Sequence, residues 1–238
     1  MKFVKIIGCF LSLLALQSFS LMNNTKLEVI EKISSSDSYI KESTQLYDAL
    51  QLQERGLSIQ AFEAGLKAMQ AVSADLSNCD VITIVDFSQS CNSQRMYVID
   101  LKNSEVLYQS YVAHGRNSGE EYAVSFSDQV RSYKSSLGCY ITLDSYEGEN
   151  GYSLRLEGKE PGFNHHAYTR TVVVHGADYV SEKFIQENGR LGRSLGCPAI
   201  PRELTSPIIN TIKDGTCFFI YYPDQRYFRM SSLMKAAS

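Results

Sequence analysis

Two residues in this chain have the types and the setting for nucleophilic chemistry. Cys197 lies in "RSLGCPAIP" (193–201), between Gly196 and Pro198, and His175 closes the apolar run "TVVVH". A thiol attacks well only as its thiolate, so it needs a base or a cation nearby, and an imidazole can take the proton or remain as the stabilising imidazolium. Gly196 lets the backbone turn sharply at Cys197, and such a turn can aim backbone N–H groups at the oxygen of a tetrahedral intermediate. On these grounds Cys197 is expected to be a reduced, low-pKa thiol. The plainer reading is that both residues belong to a core or to a disulfide set, as isolated His and Cys residues in sheet domains usually do.

Motifs of this kind must be carried by strands and tight loops. From residue 81 the chain reads as short strand-like runs: "VITIVDF" (81–87), "RMYVID" (95–100), "EVLYQSYVAHG" (105–115), "LGCYITLD" (137–144), "YSLRL" (152–156), "TVVVHG" (171–176) and "CFFIYYP" (217–223). β-Branched and aromatic residues dominate them, and turn-forming stretches such as "SQSCNS" and "LKNS" separate them. The second and third runs should pair as a hairpin. Upstream, one helical segment is expected from about Lys41 to Glu54, with Leu46, Ala49 and Leu50 on one face. A second follows Gly56: Ser58 can cap it, Leu57 and Phe62 occupy staple positions, and Phe62, Leu66, Met69 and Val72 recur at intervals of three or four. These stripes must pack on the domain that follows, or on each other and then on a partner. There is no internal repeat and no alternation of strands with long helices. The end, "RMSSLMKAAS" (229–238), reads as a frayed tail.

Composition bounds the function classes. The net charge is -3, with nothing resembling a basic nucleic-acid footprint. Tryptophan is absent, but 15 tyrosines and 11 phenylalanines supply flat amphipathic surface for packed sheets or a groove. Lys2 and Lys5 precede the apolar run from Ile6 to Leu16, and small residues follow in "QSFS" near Ser20, the layout of a signal peptide. The run is too short for a stable membrane span. A buried amino-terminal helix is the alternative, and "IIGC" (6–9) lacks the preceding apolar region that a lipoprotein box requires. Cleavage near Ser20 leaves about 218 residues and an odd set of five cysteines: Cys79, Cys91, Cys139, Cys197 and Cys217. In an oxidising compartment an odd count leaves one thiol free or paired outside the chain. If Cys197 is the free one, the other four permit three pairings, of which Cys79–Cys91 is the first to inspect. Wide cysteine spacing and sparse histidines argue against a zinc site.

The motifs "HGAD" (175–178) and "SLGC" (194–197) resemble the paired His-Gly and S-x-G-C signatures of the YkuD-type L,D-transpeptidases. The resemblance is closer to a divergent branch described as murein L,D-transpeptidase catalytic-domain-like, through "TIVDFS", "RMYVIDL", "VAHGRNSG", "KSSLG", "HGADYVS" and "GRLGRSLGCPAIP", and it covers roughly residues 78 to 223. It implies a mainly β, β-sandwich-like YkuD catalytic domain with an added N-terminal helical segment, working without a metal or organic cofactor. Its domains would be a signal peptide (1–20), a linker and helical segment (21–76), the catalytic domain (77–225) and a C-terminal tail (226–238). It also implies a cysteine acyl-enzyme mechanism on peptidoglycan stem peptides in the periplasm or cell envelope, with Cys197 as nucleophile and His175 as base. Ser194 and Gly196 match the motif turn, and the Gly196 and Cys197 N–H groups are the expected oxyanion donors. The common pattern places an arginine two positions after the cysteine, where this chain has Ala199; losing that planar cation removes both charge and geometry. Candidates to replace it at the substrate are Arg190, Arg193 and Arg202, together with His114, Arg116 and Asn117 of "HGRNSG" and the close-approach Gly176. His165 and His166 read as exposed loop residues and not as metal ligands.

Transpeptidase and carboxypeptidase share every step up to the thioester, so the sequence does not separate them. Two other readings stay open: a wall-binding or structural protein that keeps the fold without turnover, and a cysteine hydrolase or amidase acting on another exported peptide. Oligomeric state is not legible. Intact-mass measurement of the protein from an extracytoplasmic fraction should find a chain shortened near Ser20, and a full-length cytoplasmic product would overturn the export reading.

Overall fold

The computed structural model describes residues 36–236. The expected signal segment, residues 1–20, lies outside them. The chain divides into two compact units, Met1–Gln45 and Leu46–Ser238. Helix α1 (Ser36–Ala49) is followed by α2 (Ile59–Ala71), which begins where Ser58 Oγ accepts the Ala61 N–H at 3.2 Å, as the capping pattern requires. Phe62, Ala68 and Met69 lie on its buried face.

Eight strands follow: β1 (Val81–Asp86), β2 (Met96–Asp100), β3 (Glu105–Ser110), β4 (Gly138–Gly148), β5 (Gly151–Gly158), β6 (Val173–Ala177), β7 (Ala199–Pro201) and β8 (Cys217–Tyr221). Helix α3 (Glu182–Asn188) lies between β6 and β7, α4 (Thr205–Ile212) between β7 and β8, and α5 (Gln225–Met230) and α6 (Ser232–Ala236) end the described chain. The strands form one sheet in the order β3-β2-β1-β8-β4-β5-β6-β7, with β1–β8 and β6–β7 parallel and the other neighbours antiparallel. Central β1 and β8 are buried at every position, which is why "VITIVD" and "CFFIY" read as unbroken apolar runs and not as alternation. Helix α2 packs on β1 and β8.

The two ends of the sheet meet. Beyond β3 the chain runs on to Ala113, which bridges Ala199 of β7, and to Gly115, which bridges Ser194. The result is a near-barrel in which the outer edge of β7 is covered, removing an exposed edge strand. The mainly β expectation holds, with the strands in a single sheet. The packed unit begins at Leu46, upstream of the expected boundary at 77, because Leu52, Leu57 and Phe62 belong to the same core as Ile82, Ile84 and Phe219.

The C-terminal segment is not a frayed tail. Tyr227 is buried and its hydroxyl donates to Glu160 Oε1 at 2.8 Å, Ser231 Oγ donates to Glu160 Oε2, and α6 packs on α2. The Cys139 N–H also donates to Glu160 Oε1, at 2.7 Å. Burial pushes the Glu160 carboxyl up, and these three donors pull it back. Tyr227→Phe, which removes a hydrogen bond to a buried carboxylate, should lower stability by about 1.5–3 kcal/mol in urea unfolding at unchanged m. A docked but energetically idle tail would leave the midpoint where it was.

Candidate active site

The Ser194–Cys197 turn feeds directly into β7, which runs parallel to β6 with Ala199 opposite His175. Ser194 Oγ donates to the Cys197 carbonyl at 2.6 Å and accepts the Gly196 N–H at 3.0 Å, so one hydroxyl closes the turn on itself. Gly196 has φ +127°, and a Cβ there would stand 2.8 Å from the Lys134 carbonyl oxygen; both facts demand glycine. The turn is knitted to its neighbours by the Ser194 N–H on the His114 carbonyl (3.0 Å), the Arg116 N–H on the Ser194 carbonyl (2.8 Å), and Ser135 Oγ on the Gly196 carbonyl (3.4 Å). The segments "HGRNSG", "KSSLG" and "SLGC", far apart in sequence, therefore converge here.

Cys197 is half-buried and carries a free thiol, which donates to the Thr171 carbonyl at 3.6 Å. Burial pushes its pKa above the ordinary value of 9.0, while the Val173 N–H and the charge of Arg170 favour the thiolate without overcoming that cost. This corrects the expectation of a low-pKa thiol. Thr171 sits at φ +53°, an outlying conformation for a β-branched residue, at the carbonyl that receives the thiol. His175 lies two residues beyond Val173 on β6 and is buried. Its Nδ1 pairs with the Gly176 carbonyl at 3.1 Å, which assigns the proton to Nδ1 and leaves Nε2 as the accepting nitrogen. Burial pushes the imidazole down, the bond to Gly176 opposes this, and Arg202 adds to it. Thiol and imidazole are thus both neutral near pH 7. They are not hydrogen-bonded to each other: the thiol donates to the Thr171 carbonyl and the imidazole Nδ1 to the Gly176 carbonyl.

The remaining sequence candidates divide by what already holds them. His114 is fully buried: Arg95 Nη2 donates to its Nδ1 at 2.8 Å, its Nε2 faces the Gly119 carbonyl at 3.3 Å, and its pKa is pushed down to about 4, first by burial and then by Arg95. Both ring nitrogens thus have partners inside the loop that it supports. Gly176 is a packing glycine, since a Cβ would meet Thr205 Oγ1 at 2.2 Å. Arg116 lies 4.3 Å over the Tyr133 ring, and Asn117 Nδ2 donates to the Ser132 carbonyl at 2.9 Å; both are exposed. Arg190 and Arg193 share Glu120, at 2.8 and 2.5 Å, and Arg202 grips Asp178 through two bonds. His166 pairs with Asp128 Oδ2 at 2.7 Å; no group of three or more His, Cys, Asp or Glu among the described residues is placed to hold a metal. Ala199 is fully buried, and it packs with Cys91, Ala113, Ala177, Val180 and Leu191, so an arginine has no room there. Cys79 packs against the main core and Cys91, a free thiol, lies in this smaller cluster, so the pairing first to inspect, Cys79–Cys91, is not formed.

Sequence reasoning passed over two residues. Arg170 lies under the turn, with Nη2 donating to the Lys134 carbonyl at 2.8 Å, and Tyr179 is half-buried with its pKa raised to about 12, chiefly by burial and then by Cys197. The only signal for Arg170 was a cation at the foot of the apolar strand that ends in His175.

A family model, the L,D-transpeptidase catalytic domain of the YkuD_2 type, matches residues 53–221, and the chain belongs to that family. Solved structures with similarity include an L,D-transpeptidase from Mycobacterium smegmatis (12% identity, TM-score 0.38, covering 61% of this chain and 60% of that one). Others are from Mycobacterium tuberculosis H37Rv (16%, 0.36, 60% and 58%) and Xylanimonas cellulosilytica DSM 15894 (12%, 0.35, 61% and 62%). The chain thus spans about three fifths of those chains. At these identities and TM-scores the likenesses add nothing to the family assignment. No curated protein matches the chain.

A neutral thiol above its ordinary pKa has a simple signature. Alkylation of Cys197 by iodoacetamide, followed by peptide mapping, should still be climbing between pH 7 and pH 9, because the thiolate fraction grows with pH until the raised pKa is passed. A plateau below pH 7 would mean a preformed thiolate–imidazolium pair.

Proposed function

We propose that this protein performs cysteine-dependent acyl transfer on peptidoglycan stem peptides, as an L,D-transpeptidase or L,D-carboxypeptidase of the cell envelope. Membership of the L,D-transpeptidase catalytic-domain family supports the substrate class. The observation that carries the mechanism is the tautomer of His175: with Nδ1 bound to the Gly176 carbonyl, Nε2 is the base on the strand whose entry holds the Cys197 thiol. His175 takes the thiol proton as sulfur adds to the carbonyl carbon of an L-centre in a tetrapeptide stem. The resulting oxyanion meets the Cys197 N–H, the motif donor that remains once the Gly196 N–H is bound to Ser194 Oγ. Collapse breaks the C–N bond, the departing amine takes the proton from His175, and a thioester remains. An incoming amine then gives a crosslink and water gives a shortened stem, each passing its proton to His175 as the thiolate leaves.

A non-catalytic wall-binding protein is the second reading. It draws on two observations: the thiol and imidazole are not hydrogen-bonded, and Ala199 stands where the common pattern has a cation. Incubating the protein with tetrapeptide muropeptides separates the readings. The native chain should gain the mass of an acyl group, and Cys197→Ala should abolish both that adduct and turnover. His175→Ala should slow turnover by about 10²-fold or more, the scale of a lost general base, with the fold intact in both variants. Turnover undiminished in Cys197→Ala would sink the mechanism, and binding without adduct or turnover in the native chain would favour the second reading.

A further inference from the structure

Arg170 is the most enclosed cation near the nucleophile: its side chain is 4% exposed. Nη1 donates to the Ser127 carbonyl at 2.8 Å and to Ser136 Oγ at 2.5 Å, and Nη2 donates to the Lys134 carbonyl at 2.8 Å and to Ser132 Oγ at 3.4 Å. A single guanidinium therefore gathers residues 127, 132, 134 and 136. The same Nη2 lies 3.3 Å from the point where a Cβ on Gly196 would stand, so the cation touches the underside of the nucleophile's turn. The next residue, Thr171, receives the Cys197 thiol on its carbonyl. Its counter-charge is Asp128, whose Oδ1 pairs with Nη1 at 3.8 Å without a short bidentate contact, and that carboxylate is also bound by His166 Nδ1 and N–H.

We propose that Arg170 is a positioning residue for the Cys197 thiolate: its guanidinium clamps the 127–136 segment under the Ser194–Cys197 turn and fixes a desolvated positive charge beneath the residue that precedes the cysteine. The inference rests on Cys197 being the nucleophile. Two features separate this role from simple packing. A fork of donors satisfied by carbonyl and hydroxyl oxygens keeps its full charge, whereas one locked bidentate to a carboxylate is largely neutralised. And the charge lies where a thiolate is otherwise stabilised only by the Val173 N–H, against the cost of burial. The charged and titratable groups bearing on the sulfur are Arg170 and Tyr179, with His175 two residues beyond Val173 on β6; those bearing on Arg170 are Asp128, through it His166, and the buried Tyr140.

The test is the pH profile of Cys197 alkylation by iodoacetamide in the full chain, read by peptide mapping, beside thermal melts. Arg170→Met should raise the midpoint by about one pH unit, the low end of what loss of a neighbouring opposite charge does. Because a more basic thiolate is also more nucleophilic, the rate at pH 7 should fall only about threefold. Arg170→Lys restores the charge without the fork, so it should return the midpoint towards wild type while the melting temperature stays low. Asp128→Asn removes the offsetting carboxylate and should move the midpoint down, the opposite direction to Arg170→Met. If Arg170→Met fails to fold, the Lys and Asn variants carry the test, and an unmoved midpoint in Asp128→Asn overturns the proposal. Melting temperatures that fall with midpoints unchanged would make Arg170 a packing residue only. Cys197 unlabelled in the wild-type chain at any pH would overturn the nucleophile reading and this one with it, whereas a shifted profile without muropeptide turnover would leave this inference standing and sink only the proposed reaction.

Discussion

Ala113 and Ala199 exchange two backbone hydrogen bonds, 2.8 Å from the Ala113 N–H and 3.4 Å from the Ala199 N–H, and the position of Cys197 depends on them. Strand β7 has three residues, too few to hold a register by itself. It persists because β6 pairs with one side and the segment beyond β3 pairs with the other. That segment is anchored in turn by Arg95, fully buried, whose Nε and Nη2 donate to the Val112 carbonyl at 3.2 and 2.9 Å while Nη1 takes the Gln89 carbonyl. The Arg95 guanidinium also stacks 4.7 Å from the Phe87 ring. The closure demands small side chains at both alanines, since they share a narrow apolar cluster with Ala177 and Leu191.

The same closure sets the electrostatics. Bringing the turn against β6 removes water from both Cys197 and His175, and desolvation disfavours the charged form of each: it raises the thiol and lowers the imidazole. A resting thiolate–imidazolium pair is disfavoured twice over. In the proposed reaction proton transfer is then coupled to attack, the developing charge passing from sulfur to a carbonyl oxygen that the Cys197 N–H receives. A neutral resting thiol is also the less oxidisable state, because oxidation follows thiolate character and exposure. Activation therefore falls to groups already in place, and the αL conformation of Thr171 belongs to that arrangement, since strained backbone persists only where surrounding structure fixes it.

Much of this was legible in the chain. The β-branched runs gave seven of the eight strands, Ser58 gave the cap of α2, and the spacing of Phe62 and Met69 gave its buried face. What escaped depended on partners distant in sequence. "AIP" is too short to read as a strand without Ala113 and His175 beside it. Helix α4 carries Ile208, Ile209 and Ile212 as a buried stripe, but its proline and threonines masked the period. "RMSSLMKAAS" looked like a tail because the group that orders it, Glu160, is a buried carboxylate in a loop, and propensity says nothing about such a partner. His114 ends an apolar run as His175 does, yet its setting differs, and the neighbouring Arg95 is invisible from spacing.

The arginines around the turn differ in how readily they can exchange partners. Arg190 and Arg193 both lean on Glu120, whose side chain is 70% exposed, and Arg202 grips an exposed Asp178. Ion pairs with such exposed carboxylates are weak and screened by solvent, so these guanidiniums can change partner at small cost. Arg170 cannot make that exchange, because its donors serve buried backbone and hydroxyl oxygens that would be left unpaired. The division follows from burial: Arg190, Arg193 and Arg202 reach solvent and can exchange partners, whereas the enclosed Arg170 holds the 127–136 segment under the turn.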